Sequence, residues 1–170
     1  MNFILRLLPV ALLIAFAIYQ TNKKEERIEQ RLAPFNAASV QYLAEAKTVK
    51  NRLPVTGKIL VIDAESGSPI PFEEYENQVN PKHIPFHPEE VDTVVLQECK
   101  WEKIGFYSGG GDGLQESCEF FVGKPKDGIW SSWGETKGSM PPEEVRRRRS
   151  STSDVKGGRA IVEFLRVNLK

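Results

Sequence analysis

The only two histidines of the chain stand four apart in His83-Ile84-Pro85-Phe86-His87, and Glu89, Glu90 and Asp92 follow closely. Imidazoles and carboxylates are ligand types of a zinc site, and a metal held by three such groups activates water for hydrolysis. On a helix this spacing would place both rings on one face. Pro85 removes that helix, and no H-E-x-x-H is present. The plainer reading is a pair of loop histidines with local hydrogen bonds, and a metal site at His83 and His87 is the alternative. Asp63 closes an apolar run and is a further acid, yet no spacing singles out two of Asp63, Glu89, Glu90 and Asp92 as an acid/base pair. The chain has no G-x-S-x-G, no cysteine–histidine signature and no kinase set. The expectation is therefore a protein that is not an enzyme and has no cofactor.

Cys99 and Cys118 are the only cysteines. In an exported domain they can form a disulfide, worth about 3 kcal/mol by loop entropy. In a reducing compartment they would be small buried apolar side chains. Neither belongs to a C-x-x-C pair, so no zinc pattern is expected from them.

Pro69, Pro71, Pro81, Pro85 and Pro88 mark a loop, and loops of limited freedom often carry function. Phe72, Tyr75 and Phe86 on it are candidate apolar anchors for a protein partner. Trp130 and Trp133 lie in a short run with strand character, one expected in the core and the other at the surface. Arg146, Arg147, Arg148 and Arg149 attract phosphates, but the stretch 53–128 is acidic and 129–170 basic, so the tail complements the body and nucleic acid is not expected.

The elements that must position these residues begin with an apolar run at 3–19, interrupted by Arg6. Its length approaches a minimal membrane span, so 1–21 reads as a membrane anchor. A signal peptide cut after Ala15-Phe16-Ala17 is the alternative. The expected location is a single-pass membrane protein with an extracytoplasmic body, or a secreted one after cleavage, although Lys23, Lys24, Arg27 and Arg31 would favour the opposite orientation. The membrane is then a partner through this helix. Residues 22–53 read as a helical stalk in two pieces split at Pro34. The domain at 54–170 starts with a buried strand over 58–63. A meander follows, with strands at 92–96, 104–107 and 118–122 and turns at 98–102 and 108–113. Ile161, Phe164, Leu165 and Asn168 share one face of a closing helix. The fold class is α+β: an N-terminal membrane helix and helical stalk, then a mostly antiparallel β-sheet domain with a C-terminal helix.

Gly57-Lys58-Ile59-Leu60-Val61-Ile62-Asp63, Pro88-Glu89-Glu90-Val91-Asp92-Thr93-Val94-Val95 and Gly105-Phe106-Tyr107 resemble uncharacterised, membrane-anchored bacterial proteins over 55–122. The resemblance implies the anchored architecture and brings no activity with it. The expected function is a membrane-tethered partner-binding domain. A metal-dependent hydrolase using His83 and His87 with the nearby acids is the alternative.

Overall fold

The structure, a computed structural model, describes residues 3–44, 47–107, 111–142 and 154–170, and the side chains of all of these except 3–13, 44 and 155. The chain divides into two compact units, 1–34 and 35–170. The tetra-arginine run and the glycine-rich tip at 108–110 lie outside the described residues.

Helix α1 runs unbroken from Phe3 to Ala44. Pro34 removes one backbone donor without ending it. Beyond the proline, in the second unit, Phe35 meets Phe72 edge-on with ring centres 5.4 Å apart. Ser39 Oγ donates to the Gly67 carbonyl, and the Tyr42 hydroxyl donates to that of Pro88. These contacts hold the helix past the point where a two-piece stalk was expected.

Among the described residues no helix is long and apolar enough to cross a membrane. The charged run from Lys23 to Arg27 follows the apolar stretch within one turn of the same helix. The anchor at 1–21 is corrected accordingly, and with it the membrane as partner, the single-pass location and the tethered partner-binding function. The earlier part of the apolar run, 1–13, lies outside the described side chains.

The α+β class stands, with a mixed sheet in place of a mostly antiparallel one. The strands are β1 (Lys47–Thr48), β2 (Ile59–Asp63), β3 (Thr93–Phe106), β4 (Asp112–Lys124), β5 (Ile129–Lys137) and β6 (Val155–Lys156). Their order is β1-β5-β4-β3-β2, with β6 beside β4. The pairs β3–β4 and β4–β5 are antiparallel, while β1–β5, β2–β3 and β4–β6 are parallel. The expected break at 98–102 does not exist. Glu98, Lys100 and Glu102 alternate with Cys99 and Trp101, which is the period of a strand with one face solvated, so β3 runs straight through and forms one long hairpin with β4.

Ile59, Leu60, Val61 and Ile62 of β2 are all buried, as a continuous apolar run covered on both faces should be. The outer edge of β2 meets its own chain: Ile62 bridges Pro69, and the Ile70 N–H donates to the Val61 carbonyl. The crossover from β2 to β3 holds four short 3-10 turns, at Phe72–Glu74, Glu76–Gln78, Pro81–His83 and Pro88–Glu90. It packs inward with buried Phe72, Tyr75, Ile84 and Val91. Helix α2 (Ala160–Asn168) buries Ile161, Phe164 and Leu165. Phe164 stacks on Phe120 of β4 at 4.3 Å and meets Trp133 of β5 edge-on at 5.5 Å.

Candidate functional site

The hairpin register places Cys99 opposite Cys118 and Trp101 opposite Glu116, and the parallel pair sets Gln97 beside Asp63. Side chains two apart along a strand share a face. Gln97, Cys99 and Trp101 from β3 therefore join Glu116 and Cys118 from β4 on the face that receives α2. The crossover and the segment before α2 close around them and leave an open hollow of about 340 Å³, lined by Asp63, Glu74, Gln97, Cys99, Trp101, Glu116 and Arg159 among others.

Cys99 and Cys118 are joined by a disulfide, with Cα atoms 4.1 Å apart. The same two sulfur atoms and a carboxylate oxygen of Glu116 all lie within 4.8 Å of one another. Glu116 is only 2% exposed, and a buried charge needs partners. Its Oε1 lies 2.9 Å from Arg159 Nε, and its Oε2 accepts the Ala160 N–H at 2.6 Å, at the positive end of α2. Arg159 Nη1 also reaches Glu74 Oε2 at 2.8 Å, so one guanidinium serves two carboxylates.

Two glycines bring Arg159 to this place. A Cβ on Gly138 would lie 1.9 Å from the Gly158 carbonyl oxygen, and one on Gly157 would lie 2.0 Å from that of Ser139. Only bare backbone allows these two segments to cross. The crossing is tied to β4, because Gly138 N–H donates to the Glu116 carbonyl and Gly157 N–H to that of Leu114.

The histidines stand elsewhere. His83 is buried, with Nδ1 2.7 Å from the Gly57 carbonyl, and His87 is exposed. Among the described residues, the group of three or more potential metal ligands is Cys99, Glu116 and Cys118, and neither histidine belongs to it. Glu90 binds Lys58 at 2.8 Å and accepts the Phe86 N–H at 2.7 Å. The Lys58 hydrogen bond, followed by that amide, pulls its carboxyl down to about 2. Asp92 is likewise lowered, first by Lys126 and then by the Lys58 amide. These acids fasten the crossover to the sheet. Asp63 Oδ1 accepts from the Ser66 amide and hydroxyl, forming a turn at the end of β2. Of the three aromatic anchors, Phe72 and Tyr75 are buried, while Phe86 is 72% exposed with Lys58 Nζ 5.5 Å from its ring centre.

The disulfide is the pairing that the sequence allowed for an exported domain, and the carboxylate beside it comes from register and not from local spacing. Sequence reading missed Glu116, Arg159 and Gln97. The available signal was the alternation Gln97-x-Cys99-x-Trp101 against Glu116-x-Cys118, which the supposed turn at 98–102 concealed.

Comparison of this chain with protein-family models, curated proteins and solved structures finds no match. The expected resemblance to membrane-anchored bacterial proteins is corrected by that result.

Proposed function

We propose that this protein is a metal-dependent enzyme of hydrolytic type whose metal is held by Cys99, Cys118 and Glu116 when the disulfide is reduced. The carrying observation is that a carboxylate oxygen of buried Glu116 lies within 4.8 Å of both sulfurs of the Cys99–Cys118 disulfide, beside an open hollow. Two thiolates and a carboxylate suit zinc, and three protein ligands with a fourth position open is the arrangement of catalytic sites. A bound divalent cation would supply a Lewis acid and an activated water there.

Reduction consumes two electrons and two protons from an external dithiol, which becomes a disulfide as Cys99 and Cys118 become thiols. Metal binding then releases the two thiol protons. Glu116 is already positioned by Arg159 and the Ala160 amide, as outer partners position ligands in metal sites. The disulfide form cannot offer thiolates, so the activity belongs to the reduced protein alone.

The test is anaerobic titration of the phosphine-reduced protein with cobalt(II), followed by its thiolate charge-transfer absorption. One cobalt per chain is expected, with the band lost in Cys99→Ser and Cys118→Ser and binding weakened in Glu116→Gln. The metal-loaded protein should hydrolyse a chromogenic ester, and the disulfide form should not. A reduced wild type with no band, or equal hydrolysis by both forms, would overturn the reading.

A further inference from the structure

Gln97 is 1% exposed, and its Oε1 has no hydrogen-bond partner among the described residues. Buried acceptors are normally satisfied, so an unanswered one lining a hollow marks where a donor belongs. The charges around it point to the kind of donor. Asp63, Glu74 and Glu116 line the hollow, and among the described residues Arg159 is its only cationic lining residue. Arg159 is committed to Glu74 and Glu116, and Asp63 has no ion-pair partner among the described residues. A water would answer Gln97 but would leave the net negative charge in place.

We infer that this hollow binds an organic cation bearing N–H donors, an ammonium or guanidinium group, between Gln97 and the Asp63 carboxylate. The inference does not rest on the metal reading and needs no metal, although Cys99 and Glu116 also line this hollow. A metal ion is a poorer occupant for this side, because neither Asp63 nor Glu74 belongs to the group whose ligand atoms converge. A ligand with several donors along a carbon stem can instead reach acceptors that stand apart. The neighbouring Trp101 shows the same preference within the chain, since Lys156 Nζ lies 4.7 Å from its ring centre. The volume, about 340 Å³, is at the small end of ligand sites.

Agmatine is a suitable probe, with sorbitol as the neutral and succinate as the anionic control. The experiment uses the full chain with its disulfide intact and with EDTA present, so that its outcome does not depend on the cysteines as ligands. Calorimetry and NMR of side-chain amides are read together. One agmatine per chain is expected, weakened by salt, with the Gln97 side-chain amide signals moving on binding. Gln97→Leu and Asp63→Asn should each weaken it roughly tenfold, the effect of one charge-assisted hydrogen bond. Asparagine keeps the turn at Ser66, so that variant tests charge without removing the fold. Absent heat and unmoved Gln97 signals would overturn the proposal, as would equal binding of sorbitol or unchanged affinity in both variants. Cobalt binding by the reduced protein would be untouched by any of these results.

Discussion

Glu90 and Asp92 give the crossover a pH dependence whose sign follows from their partners. Lys58 and the Phe86 amide lower the Glu90 carboxyl from 4.5 to about 2, and Lys126 lowers that of Asp92 from 3.8. A carboxylate lowered on folding contributes stability above its unfolded value and loses it as pH falls through the folded one. Urea unfolding of the wild type should therefore show stability declining from pH 4.5 toward 2. Glu90→Gln should flatten that decline, and an unchanged slope would show that the contact with Lys58 does not persist in solution. Glu116 is held more tightly, by Arg159 and by the Ala160 amide. Glu116→Ala leaves the buried Ala160 N–H without its acceptor and the part-exposed Arg159 with Glu74 alone, and the expected cost is about 2 kcal/mol. Glu116→Gln keeps the shape and an acceptor, so its unfolding midpoint should fall less.

The crossing of the segments around Gly138 and Gly158 sets where α2 begins. Gly138→Ala would drive a methyl group into the Gly158 carbonyl, and overpacking of this kind costs about 1–3 kcal/mol. Arg159 moves with that segment, so cobalt binding by the reduced variant should weaken along with its stability. A variant that is destabilised but binds cobalt as the wild type does would separate the crossing from the site. Single elements were the legible part of this architecture. The buried run of β2 and the apolar face of α2 each follow from a pattern local to a few residues. Strand β3 was misread because Glu98, Lys100 and Glu102 look like a polar turn until their alternation with Cys99 and Trp101 is counted. The site was not legible, since Glu116 meets the cysteines only through hairpin register and Arg159 reaches it from a distant segment. Pairings of that range leave no mark in local periodicity.

For the molecule as a whole, the bond between Cys99 and Cys118 closes a loop with a sequence separation of 19. Loop entropy makes reduction cost about 3 kcal/mol. Thermal unfolding should move to lower temperature on reduction and recover in part when a stoichiometric divalent metal is added, by mass action on the folded state. Equal melting of the reduced protein with and without metal would count against the metal site. The flanks of the sheet have a different consequence. Pro69 sits against the outer edge of β2, while β5, past the two residues that pair with β1, is broken by a register shift and by Gly134 at positive φ, with Glu135 and Lys137 beyond. A proline, a bulge and charged side chains are devices that deny an incoming strand its ladder of amides. Among the described residues neither flank offers copies of this domain a ready template for strand addition, so a fully folded preparation should not seed fibrils.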